Sequence, residues 1–204
     1  ADDFIKRRKN DRIGLVLFGT RAYLQSPVTF DRQSVREILR SMDAGMAGNS
    51  TSIGDALGLA LKSIRESGGS EERIIILLTD GENNDGSLSM AQAINLARNE
   101  KVKVYTIGVG AENAFVRSLF GMRIAMPGGI DEEGLKRLAE ETKGNYFRAG
   151  DTEGLQKIYA EIDRLEPSAN EDQFVREAKD LFYWPLSAAL LLSFLTVFLR
   201  RKGI

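Results

Sequence analysis

Apolar residues recur along this chain with two periods, and the periods take turns. Short runs that are wholly apolar or alternate with polar residues predict strands: "RIGLVLFG" at 12–19, "AYLQSPV" at 22–28, the stretch 73–78, "VKVYTIGVG" at 102–110 and "NYFRA" at 145–149. Pro27 cannot donate to a ladder, so the second run suits an edge strand. Between the runs, apolar residues return at three- and four-residue steps and predict helices. One covers 32–41, with Asp31 as its cap and Val35, Ile38 and Leu39 on one face. A second covers "TSIGDALGLALKSIRES", with Ile53, Leu57, Leu61 and Ile64 in line and Gly68 and Gly69 as the stop. Others fall near 89–99, at 131–142 behind Asp131, and at 151–165 behind Asp151. Residues 111–130 carry no period and are expected to be irregular. Phe4 and Ile5, followed by four cations, read as the last turns of a helix already under way.

Strands alternating with helices at this spacing predict right-handed βαβ units. The expected fold class is therefore α/β, with a doubly wound, mostly parallel sheet flanked by helices. Such sheets bind ligands at the carboxyl ends of their strands. The end of the chain follows a different rule. Residues 181–199 carry no charge over 19 positions, about the length that crosses a bilayer. Phe182, Tyr183 and Trp184 sit at one edge of this run like an aromatic belt, and Arg200, Arg201 and Lys202 close the other. The expected layout is a domain over 1–165, an acidic linker over 166–180, one C-terminal transmembrane helix over 181–199 and a basic tail over 200–204. The cations after the span predict a cytoplasmic C-terminus, which places the soluble domain outside the cytoplasm.

Composition narrows the chemistry. The 204 residues have a net charge of −1, so no basic field attracts nucleic acid. There is no Cys and no His, which excludes thiolate chemistry, the usual zinc sites and histidine bases. A metal here must be held by oxygen, which favours Mg²⁺, with Mn²⁺ or Ca²⁺ as alternatives. One place offers such oxygens. "IIILLTDGENND" runs an apolar strand into Thr79, Asp80, Gly81 and Glu82, and "GNSTSIGD" brings Thr51 and Ser52 to a helix start. Thr51 and Asp80 are the candidate metal ligands, with Ser52, Asp55, Gly81 and Glu82 as supporting loop residues. Ser52 with Asp55 three residues on also resembles a capping box, a purely structural arrangement. Asn83, Asn84 and Asp85 read as solvated loop. Enzyme motifs fail on inspection: "GVGAEN" has Asn113 where a dinucleotide loop needs Gly, and "GNSTSIGD" has Asp55 where a phosphate loop needs Lys. The acidic pair Glu132–Glu133 lies on a predicted helix surface. No nucleophile and base assemble.

The blocks "DRIGLVLFGTRAYLQSPVTFDR", "STSIGDALGLA", "IIILLTDGENN" and "VYTIGVGA", in this order, resemble the von Willebrand factor A domain. Together with "LFYWPLSAALLL" they resemble the bacterial BatA-type aerotolerance membrane proteins. The resemblance implies a Rossmann-like doubly wound sheet with a metal-ion-dependent adhesion site on its upper edge. That site takes a D-x-S-x-S segment, a Thr and an Asp. Thr51 matches the second and Asp80 the third. The first has no match in this sequence; the resemblance places it on a strand before Ala1, so the chain is expected to be a piece of a longer protein. The implied role is non-enzymatic: a membrane-anchored module of the inner membrane that binds a partner through the cation. Implied partners are membrane proteins of the same operon and a MoxR-type ATPase, in stress tolerance or envelope assembly. Two other readings stay open: a structural membrane subunit with a dead metal site, and a Mg²⁺-dependent phosphoryl-transfer enzyme.

Overall fold

The alternation of periods appears directly as alternating elements. The computed structural model describes residues 1–43, 45–68, 72–81, 83–110, 115–117, 123–125, 130–168, 187 and 201. The chain divides into two units, Ala1–Ala169 and Asn170–Ile204. Apart from Ser187, the span expected over 181–199 lies outside the described residues, and so does Glu82. Among the described residues no helix is long and apolar enough to cross a membrane.

The first unit opens with α1 (Asp2–Arg7), then the hairpin β1 (Ile13–Phe18) and β2 (Ala22–Thr29). Helices α2 (Arg32–Arg40) and α3 (Ile53–Glu66) precede β3 (Ile74–Thr79), α4 (Met90–Asn99) and β4 (Lys103–Val109). Two three-residue strands follow, β5 (Phe115–Arg117) and β6 (Arg123–Ala125), paired antiparallel. They correct the expectation that 111–130 is irregular throughout: strands this short leave no readable alternation in the sequence. The unit closes with α5 (Glu132–Glu141), β7 (Tyr146–Ala149) and α6 (Thr152–Leu165).

Strands β3, β4 and β7 form a parallel sheet, in register from Ile74 opposite Lys103 and from Thr106 opposite Tyr146. The β1–β2 hairpin is antiparallel, and Pro27 lies on β2, which among the described residues pairs with β1 alone. The parallel sheet has apolar cover on both faces. Leu77, Val102 and Val104 pack with Ile53, Leu57 and Leu61 of α3, Ile94 of α4 and Leu135 of α5. Tyr105 and Ile107 pack with Phe4 of α1 and with Ile158, Tyr159 and Ile162 of α6. Each fully buried Leu or Ile contributes about 2 kcal/mol by leaving water. Helices on both faces of a parallel sheet make the doubly wound architecture that the sequence predicts.

The helix starts are fixed as the sequence implies. Asp31, Asp131 and Asp151 each accept a hydrogen bond from the backbone N–H three residues on. Ser89 and Gln92 form a reciprocal capping box at α4. The start of the predicted linker is tied to the domain. Glu166 is 6% exposed, and its carboxylate accepts from Lys103 Nζ at 2.7 Å and Tyr105 OH at 2.6 Å. Buried Arg8 donates to Glu166 O and pairs with Asp163 at 2.8 Å. Ser168 Oγ lies 2.8 Å from Asp11 Oδ1. These contacts join the ends of α1 and α6 to the amino end of β4, the pole opposite the strands' carboxyl ends.

Candidate metal site

The parallel strand β3 ends at Thr79 and delivers Asp80 to the carboxyl edge of the sheet. Thr79 is buried, and its Oγ1 accepts from Gly81 N at 3.3 Å, which turns the chain as soon as the strand ends. Asp80 is exposed there. Gly81 is the point of contact with the second loop: a Cβ built on it would lie 2.9 Å from Thr51 Oγ1, closer than real Cβ atoms come. Lacking a side chain, Gly81 lets the 80–81 backbone approach the Thr51 hydroxyl. Thr51 and Asp80, some thirty residues apart in sequence, are thereby brought to one edge.

The Thr51 backbone is fixed from the same loop. Asn84 Oδ1 accepts from Thr51 N at 2.8 Å, while Asn84 N and Asp85 N donate to Thr51 O at 3.1 and 3.2 Å. Asn83 Oδ1 accepts from Ile53 N at 2.7 Å and from Gly54 N at 3.3 Å, so it caps α3 from outside the helix. Asn83 and Asn84 therefore correct their reading as solvated loop. The available signal was two adjacent amides, each able to accept from a helix-start N–H, directly behind the strand-ending T-D-G.

The Ser52–Asp55 capping box is also corrected. Ser52 occupies the cap position without a side-chain cap bond. It is wholly buried, and both its N and its Oγ donate to Gly19 O, at 2.9 and 2.8 Å. Asp55 Oδ1 accepts from Ser87 N at 3.0 Å and Leu88 N at 2.8 Å. The two residues face opposite ways: Ser52 ties the α3 start to the end of β1, and Asp55 ties it to the end of the β3–α4 loop. A charged acceptor for two amides makes strong bonds, about 1.5–3 kcal/mol each.

The outcome is a rigid frame with two loose oxygen groups. Among the described residues, neither Thr51 Oγ1 nor the Asp80 carboxylate takes part in a hydrogen bond or ion pair, although the backbone around both is held. A hydroxyl and a carboxylate at one edge, in a chain without His or Cys, fit a hard cation that keeps several waters. Among the described residues no group of three acidic side chains converges anywhere.

A domain with this sheet, this edge and these two loops has known counterparts. The chain belongs to the von Willebrand factor type A domain family, whose model matches residues 1–161. The conserved hypothetical protein BatB from Bacteroides thetaiotaomicron is 25% identical, with 80% of this chain and 83% of that one covered at a TM-score of 0.59. An aerotolerance-related membrane protein from Bacteroides fragilis is 22% identical, with 81% and 85% covered at 0.62. Proximal thread matrix protein 1 from the mussel byssus, solved with a zinc-occupied MIDAS motif, is 22% identical, with 83% and 41% covered at 0.61. The last two show the fold alone. The chain spans about half the length of the curated relatives it matches, 54% and 47% of the first two.

Proposed function

We propose that this domain binds a partner protein through a divalent cation held at Thr51 and Asp80, and that it catalyses no reaction. The observation that carries this reading is the pair of oxygens unengaged among the described residues, Thr51 Oγ1 and the Asp80 carboxylate, beside a Thr51 backbone whose N–H and carbonyl are both hydrogen-bonded. When bound, the cation supplies a positive charge with an open coordination position that takes an oxygen from an acidic partner residue. The residues of this chain do the rest. Asp80 and Thr51 hold the ion, and Asn83, Asn84 and Asp55 keep the two loops together so that both ligands stay in place. Mg²⁺ is the proposed ion; the mussel protein, which shares the fold, was solved with zinc in its MIDAS motif. Further along the chain, 181–199 anchors the domain in the inner membrane with the domain on the periplasmic side. The partners are other membrane proteins, of the same operon, and a MoxR-type ATPase.

The test uses the protein isolated from its native membranes together with its co-purifying membrane proteins. EDTA and the Asp80→Ala substitution are each expected to weaken that association about tenfold or more, equal to 1.4 kcal/mol, with the domain still folded. An association that survives both unchanged makes the protein a structural subunit with a dead site. Turnover of a phosphoester by the purified protein contradicts the non-catalytic reading.

A further inference from the structure

The turn joining β1 to β2 and the loop over 45–48 meet beside Thr51. Thr20 N donates to Ala47 O at 2.8 Å, and a Cβ built on Gly48 would overlap the Thr20 side chain. Gly19 O takes both Ser52 hydrogen bonds. Three residues stand one position away from this knot: Arg21 after Thr20, Met46 before Ala47 and Thr51 before Ser52. The knot therefore brings the backbone of Arg21, Met46 and Thr51 to the same edge. Arg21 is exposed and forms no ion pair among the described residues. Met46 is 62% exposed, more than any other large apolar residue described, and its Sδ accepts from Asp43 N at 3.1 Å. The loop thus ties the sulfur to its own backbone and leaves the Met46 side chain largely open to water. Isolated exposed apolar residues are ordinary. A guanidinium without an ion pair among the described residues and an open methionine, tied to the rim of the proposed metal site, are a combination that suits one kind of ligand.

We infer that this rim selects the partner: it receives an extended protein segment with two acidic residues and an apolar residue between them. Resting on the metal reading above, the first carboxylate goes to the cation at Thr51 and Asp80. The second pairs with Arg21, whose planar fork matches a carboxylate at two points. The apolar residue covers Met46, whose flexible unbranched side chain adapts to varied shapes. Charge complementarity decides against a basic or neutral partner.

The test uses the full chain in detergent and fluorescein-labelled peptides in a Gly/Ser background. One peptide carries Asp-Leu-Phe-Glu, one has Gln in place of the Glu, and one has Ser in place of Leu and Phe. With Mg²⁺ present, the first is expected to bind best. Arg21→Gln should weaken it about tenfold and barely affect the Gln peptide, as a broken charge pair does. Met46→Ser should remove the preference for Leu-Phe over Ser-Ser. Mn²⁺ affinity, read separately by electron paramagnetic resonance, should be unchanged in both variants. Wild-type binding by Arg21→Gln and Met46→Ser, with Mg²⁺ still required, overturns the rim proposal and leaves the metal reading standing. Failure of all three peptides to bind a protein that does bind Mn²⁺ also overturns it. Absence of Mn²⁺ binding, or peptide binding that ignores EDTA and Asp80→Ala, overturns the metal reading and the proposal that rests on it.

Discussion

Replacing Gly54 by Ala is expected to cost about 3 kcal/mol of stability, the upper range for a forced overlap in a packed region. Gly54 sits in the first turn of α3, and a methyl group there would overlap the backbone carbonyl oxygen of Leu88. Neither side can yield cheaply. Asn83 accepts from Ile53 N and Gly54 N, and Asp55 accepts from Ser87 N and Leu88 N, so helix and loop are joined on both sides of the overlap. Gly58, one turn later, is the control. A Cβ there meets only Leu88 Cδ2 at 3.1 Å, the far end of a side chain that can rotate. Gly58→Ala gains about 1 kcal/mol of helix propensity against a small packing cost, so its net change should stay within about 1 kcal/mol of zero. Urea unfolding of the full chain in detergent separates the two. Equal effects would mean that the α3 start and the 83–88 loop are not locked together. Because that lock positions Thr51 against Gly81, Gly54→Ala should also weaken metal binding, whereas Gly58→Ala should not.

The second large effect lies at the opposite pole. Burial opposes ionisation of Glu166, but the hydrogen bonds from Lys103 and Tyr105 outweigh it and hold its pKa below the usual value. A carboxyl group with a lowered folded pKa contributes stability that is complete above its unfolded pKa, about 4.3, and drains away as pH falls through the folded value. Glu166→Gln keeps the shape and removes the charge, leaving Lys103 and Arg8 around a neutral amide. The expected loss is about 2 kcal/mol at pH 7, the range for hydrogen bonds to a charged group. The difference between the two proteins should shrink as pH drops below about 4, where the wild-type protein loses the same charge. A pH-independent difference in unfolding free energy would show that Glu166 acts through packing and not through its charge.

These two sites mark what could and could not be read in advance. Runs such as "IIILLT" and "VYTIGV" are apolar because strands of a parallel sheet are covered on both faces, so the strands of that sheet and the helices beside it were legible from periodicity, whereas β5 and β6 were not. Asp80 was legible because a strand that ends in a carboxylate has a physical reason to do so at the edge of an α/β sheet. The support of the site was not legible. Ser52 and Asp55 fit a local capping rule, yet their partners, Gly19 O and the 87–88 amides, lie more than thirty residues away. Asn83 caps a helix to which it does not belong, and no sequence window contains both. Glu166 looked like linker because Pro167 and an acidic stretch follow it; its burial depends on where Lys103 and Tyr105 stand in β4. Tertiary pairing settles such residues, and sequence spacing carries no trace of it.

The central claim is that Thr51 and Asp80 hold a divalent cation. A Mn²⁺ titration followed by electron paramagnetic resonance, on protein isolated from its native membranes, tests it most directly. The account predicts that bound Mn²⁺ is displaced by Mg²⁺, lost in Asp80→Ala and weakened in Thr51→Val, with unchanged thermal unfolding of the metal-free protein. Equal Mn²⁺ binding by wild type and Asp80→Ala, or none by either, would contradict it.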